Sequence, residues 1–76
     1  MEKTDALKQT ILNTISRNIK AERARAGLSQ EETAKHLGVE RRAYIDKERL
    51  ARFRPEELLK LAKAFNCTVE SFYMGL

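Results

Sequence analysis

One cysteine, one histidine, one proline and three glycines in 76 residues remove several common ways of building a site. A single cysteine excludes an internal disulfide framework and any cysteine-rich metal site. Cys67 therefore reads as a small core residue of a cytoplasmic protein. His36 has neither a second histidine nor cysteines beside it, so it makes no metal centre. It reads as a solvated side chain near a helix end, where a cation is mildly favoured. No apolar run is long enough to span a bilayer, and no signal-peptide segment is present. The expectation is a soluble, cytoplasmic chain without a membrane partner. Phosphate-binding glycine loops and nucleophile motifs are missing as well. The carboxylate pairs Glu31-Glu32 and Glu56-Glu57 each fall in the first turn of an expected helix, where the helix dipole accounts for them. No catalysis, cofactor, metal or small-molecule ligand is expected.

What the chain does have is charge and helix formers. Lys and Arg number 15 against 11 Asp and Glu, a net charge of +4. That balance favours polyanionic partners, nucleic acid above all. At this length residues 1–76 form one domain, near the lower limit at which an apolar core suffices without staples. Ala, Leu, Glu, Lys and Arg dominate, and no segment alternates with a two-residue period, so the fold class is all-α. The pattern predicts a compact bundle of five short helices. The first starts near Thr4 or Asp5, carries an apolar stripe of Leu7, Ile11, Ile15 and Ile19 with Leu12 beside it, and stops at Gly27. Ser29 caps the second, with Glu32 completing a capping box, and Gly38 ends it. The third runs from Glu40 or Arg41 to Arg49 or Ala51. Pro55 opens the fourth, whose apolar face is Leu58, Leu59, Leu61, Ala62 and Phe65. Thr68 caps the fifth, with Val69 and Phe72 turned inward.

A helix, a tight turn and a second helix is the unit that presents one helix to a DNA major groove. Close crossing of the two helices needs a small residue, supplied by Ala34. A sharp reversal suits Gly38, and Val39 plugs the junction. The second helix must then expose polar side chains near its start, where Arg41 and Arg42 stand.

The run Gly27 to Val39, G-L-S-Q-E-E-T-A-K-H-L-G-V, resembles the DNA-binding domains of the Cro and cI class of phage repressors, the XRE family. Support comes from Arg23 four residues before Gly27, from Glu48-Arg49, and from F-R-P-E-E-L at Phe53 to Leu58. The resemblance covers residues 15–74, leaving 1–14 as an N-terminal extension of the first helix. It implies a lambda-repressor-like fold and a transcriptional regulator, a repressor in the first instance, acting as a homodimer on double-stranded DNA. It further implies a structural ion pair between Arg23 and Glu48. Base readout would fall to Glu40, Arg41, Arg42 and Asp46, and phosphate contacts to Ser29, Gln30, Arg49, Arg52 and Arg54.

The chain departs from that pattern in several places. Thr33 replaces a leucine, Glu40 a serine or threonine, Lys47 an apolar residue, and Leu50 a glycine that usually precedes a longer basic loop. The inward anchor of the third helix is Tyr44 or Ile45, with Tyr44 the better match, and Leu50 is a candidate for the apolar contact that Lys47 lacks. In the extension, Leu7, Ile11 and Leu12 serve either extra core packing or a dimer seam. Tyr73, Met74 and Leu76 either form an exposed apolar edge, the dimer contact of such repressors, or cover the core. A second function class stays open: a protein-interaction module on the same fold, antitoxin-like or an adaptor, which Glu40, Asp46 and the shortened loop favour. A positive face from Gln30 through Arg41, Arg42 and Arg52 speaks for DNA. A face broken by Glu40 and Asp46 beside an apolar Ile45 speaks for a protein partner.

Overall fold

The computed structural model describes residues 3–76, with side-chain environments from Asp5 onward. Helix α1 covers Lys3–Arg25, α2 Gln30–Leu37, α3 Arg41–Leu50 and α4 Pro55–Phe65, and a 3-10 turn spans Val69–Tyr73. There is no strand among the described residues. The fold is thus all-helical, but four α-helices and a 3-10 turn replace the expected five α-helices. The last element is too short for a second α-helical turn. Its presumed cap also behaves differently, because the Thr68 hydroxyl lies 3.2 Å from Ser71 Oγ and makes no bond to a backbone amide.

The start of α1 at Lys3 lies one or two residues ahead of the expected Thr4 or Asp5, and the Thr4 side chain falls outside the described residues. At 1.5 Å per residue this helix is about 35 Å long. That nearly equals the 37 Å long axis of the molecule. Burial therefore grades along its stripe. Leu7 is 61% exposed, Ile11, Leu12 and Ile15 are half-buried, and Ile19 is fully buried. Core packing accounts for Ile15 and Ile19 and leaves Leu7 in water. At the far end Gly27, at φ 75°, turns the chain, and Leu28 N–H closes on the Arg23 carbonyl at 3.2 Å.

The core gathers Ile19, Ala34, Leu37, Tyr44, Leu61, Ala62, Phe65 and Phe72. Phe65 and Phe72 meet edge to face, centroids 6.2 Å apart, which seats the 3-10 turn against α4. Asn18 of α1 ties down the C-terminal end of that turn, its amide donating to the Phe72 and Met74 carbonyls at 3.0 and 2.8 Å. Two expected core contacts are absent. Leu59 is 57% exposed, because it sits about 100° round α4 from Leu58, off the Leu58–Leu61–Ala62–Phe65 face. Leu50 is half-buried but packs outside the core cluster, because α3 ends at it and Ala51 turns left-handed at φ 55°. Phe53 fills the space instead, its ring 6.1 Å from Tyr44.

Candidate nucleic-acid interface

Helix α2 begins with a reciprocal cap. Ser29 Oγ accepts from the Glu32 N–H at 3.0 Å, and Glu32 Oε1 accepts from the Ser29 N–H at 2.9 Å. The donation from Ser29 holds the Glu32 carboxyl below the usual carboxylate range. Thr33 is fully buried in place of an apolar residue, and its hydroxyl is satisfied by donating to the Ser29 carbonyl at 2.8 Å. Ala34, 2% exposed, is the small residue that lets α2 and α3 approach. The turn is closed by Gly38, at φ 73°, whose N–H reaches the Lys35 carbonyl at 3.1 Å, and by Val39 N–H on the Ala34 carbonyl at 3.0 Å. A Cβ at Gly38 would meet nothing within 4 Å, so only the left-handed backbone demands glycine there. Glu40 is extended and makes no side-chain cap bond, leaving its carboxylate exposed at the start of α3.

Helix α3 divides cleanly by face. Tyr44 and Glu48, one turn apart, are fully buried. Arg41, Arg42, Asp46 and Arg49 are exposed on the other side, with Ile45 half-buried between them. Tyr44, not Ile45, is the inward anchor.

What fixes α3 is a buried carboxylate. Glu48 Oε2 accepts from Arg23 Nε at 2.8 Å and from the Tyr44 hydroxyl at 2.6 Å. Its Oε1 accepts from Arg23 Nη2 at 3.2 Å and from Gln30 Nε2 at 3.1 Å. Four donors meet the roughly four acceptor sites of an ionised carboxylate. Burial alone would raise the Glu48 carboxyl. The Arg23 and Tyr44 hydrogen bonds, the Arg23 charge and Gln30 outweigh it and hold the group below its ordinary value. The same contact raises Arg23, while burial and the neighbouring carboxylate push the Tyr44 phenol up. Arg23 also donates to the Leu28 carbonyl at 3.0 Å, and Ser16 Oγ to the Glu48 carbonyl at 2.6 Å. Helices α1, α2 and α3 thus meet at one group.

The remaining candidate residues fall into two sets. Ser29 is exposed beside the α2 amides, and Gln30 is half-buried with one amide proton committed to Glu48. Asp46 and Arg49 pair with each other at 3.3 Å on the exposed face. Arg41, Arg42, Arg52 and Arg54 are exposed, and their guanidinium groups make no hydrogen bond or ion pair among the described residues. Residues 40–54 hold six basic against three acidic side chains, so +3 of the chain's +4 lies in this one segment. Away from it, Leu7, Tyr73, Met74 and Leu76 are 61, 41, 67 and 59% exposed and Ile11 is half-buried. Tyr73 therefore does not simply cover the core.

Sequence reasoning passed over Ser16, Asn18, Lys47 and Glu57 as working residues. Ser16 gave a signal, standing in helical register with Leu12 and Ile19 on the buried face. Asn18 gave none, since its partners are carbonyls more than fifty residues away.

A capped helix, a glycine turn and a second helix with one face locked and the other basic define a helix-turn-helix domain. The helix-turn-helix family model matches residues 19–72, and the chain belongs to that family, the Cro/C1-type or XRE group of DNA-binding regulators. Neither a curated protein nor a solved structure matches the chain. No helix among the described residues is long and apolar enough to cross a membrane.

Proposed function

We propose that the chain is a sequence-specific repressor that binds double-stranded DNA as a homodimer, with α3 in the major groove. The observation that carries this reading is the cluster of four unpartnered guanidinium groups on α3 and just beyond it. An arginine without an internal partner keeps its planar fork for an outside acceptor. Arg41 and Arg42, at the start of α3, suit the bidentate contact to guanine, and Glu40 and Asp46 suit donation from cytosine N4. Ser29, Gln30, Arg49, Arg52 and Arg54 surround that stripe as phosphate ligands, Gln30 through its second amide proton. Two copies joined through Leu7, Ile11, Tyr73, Met74 and Leu76 would read half-sites about one helical turn apart. Repression then needs only occupancy of the site.

The protein-docking alternative has less support. Asp46 pairs with Arg49, which leaves only Glu40, at the very start of α3, as an open acidic side chain on this face. Ile45 is half-buried, so no exposed apolar patch lies beside it. Selection from a random duplex pool at fixed salt tests the proposal. A near-palindromic site should emerge, and Arg41→Ala with Arg42→Ala should lose preference for it by about 1–3 kcal/mol per base contact while melting stays unchanged. A pool with no enrichment at low salt overturns the reading.

A further inference from the structure

The connection from α3 to α4 is four residues long, Ala51 to Arg54, and carries two of the four unpartnered arginines. Its course is held at both ends. Arg52 N–H closes on the Lys47 carbonyl at 3.0 Å, and Phe53 packs on Tyr44. At the other end the Glu57 carboxylate accepts the Arg54 N–H at 2.8 Å. That carboxylate, with its side chain 12% exposed, also receives the Lys47 ammonium at 3.2 Å on each oxygen. Lys47 is the residue that stands in α3 where an apolar side chain was expected, and its partner lies in the first turn of α4. One ion pair therefore links the end of the reading helix, the loop backbone and the next helix.

Resting on the DNA-binding reading, we propose that Lys47 and Glu57 are positioning residues for a phosphate clamp formed by Arg52 and Arg54. They touch no DNA themselves. Glu57 fixes the backbone of Arg54 through its amide, and Lys47 anchors Glu57 to α3. Lys47 also cancels the negative charge that Glu57 would otherwise present next to two phosphate ligands. A short loop of four residues keeps its arginines in place by this clasp.

The test separates positioning from charge by sign. Glu57→Ala removes a negative charge near the DNA face, frees a lysine and, unlike glutamine, leaves no side-chain acceptor for the Arg54 N–H. Electrostatics alone makes its binding tighter and more salt-dependent. The clasp makes the opposite prediction. Affinity for the selected duplex should fall several-fold, and the slope of log K against log salt should become shallower by about 1, near the 0.9 expected for one lost phosphate contact. Lys47→Met should weaken binding on either account and so serves only for comparison, while Lys47→Arg should keep the parental slope. Arg52→Ala with Arg54→Ala sets the scale, a slope shallower by about 1.8. Tight binding by Glu57→Ala with an unchanged or steeper slope overturns the proposal, as does an unchanged slope in the double arginine variant. A loss of melting temperature without a change in slope marks the clasp as structural only and overturns it too. Failure of the parental chain to bind any duplex is a separate outcome that sinks the DNA-binding reading itself.

Discussion

Replacing Glu48 by glutamine keeps the shape of the buried hub and removes its charge. In the parental chain two Arg23 nitrogens, the Tyr44 hydroxyl and the Gln30 amide all donate to this carboxylate. A glutamine offers one acceptor oxygen and turns an NH2 toward groups that are themselves donors. Arg23, whose side chain is only 19% exposed, is left with a charge that water reaches poorly. Removing one partner of a buried ion pair costs about 3–5 kcal/mol. A domain of this size is stable by roughly 4–11 kcal/mol in total. The variant should therefore lose about a quarter or more of its stability and melt on the order of 20 °C lower. Urea unfolding followed by circular dichroism measures this directly. A loss below about 1 kcal/mol would refute the view that Glu48 holds three helices together. The pH dependence supplies an independent check. The folded state holds the Glu48 carboxyl below its unfolded value, which is near 4.3 for glutamate. Its contribution is complete above that value and disappears as pH falls through the folded one. As far as the depressed carboxyls are concerned, parental stability should thus be level between about pH 5 and 8 and drop below that range. Glu48→Gln should show a shallower drop, since only the other depressed carboxyls, Glu32 and Glu57, remain to be protonated.

Two more outcomes rest on backbone and surface. Ala51 ends α3 in a left-handed conformation at φ 55°. Ala51→Gly should therefore raise stability by about 0.5–1 kcal/mol in thermal or urea melts, and a loss would show that the Ala51 methyl is needed. Leu7→Ser with Met74→Ser should shift sedimentation toward the monomer and weaken binding to the full palindrome more than to a half-site, with little change in monomer stability, because both side chains are more than 60% exposed. Equal effects on both duplexes would discard those residues as dimer contacts.

The sequence discloses the scaffold far better than the fine geometry around α3, and the reason is range. The cap at Ser29 and the turn at Gly38 depend on neighbours within five residues, so local chemistry determines them. The split of α3 into a buried and an exposed face also follows from helical spacing once Tyr44 is taken as the anchor. Contacts across helices leave weaker marks. Lys47 reads as a defect in an apolar pattern until Glu57 is seen 3.2 Å away, and Leu50 reads as a substitute core residue until Ala51 is seen to end the helix. Leu59 misleads in another way. A run of leucines in α4 suggests one broad face, while helical geometry buries only the part centred on Leu61 and Phe65.

If α3 reads DNA as proposed, the placing of the buried charge follows from what such a helix must do. Apolar burial sets which face of α3 turns inward but fixes small rotations about its axis only loosely, because hydrophobic contact has no bond direction. A rotation of a few tens of degrees, well under the roughly 100° between successive residues, already re-aims the exposed side chains of α3. Tyr44 and Glu48 are one turn apart and bond each other at 2.6 Å, and Glu48 is held by donors from α1 and α2. Each of those bonds is directional and fails under rotation. The hub thus favours one rotational setting, the one in which Arg41, Arg42, Asp46 and Arg49 face outward, at whatever desolvation cost the buried charges carry. Variants that replace the hub with apolar residues of equal volume should on this account keep the helices and lose sharpness of sequence preference first.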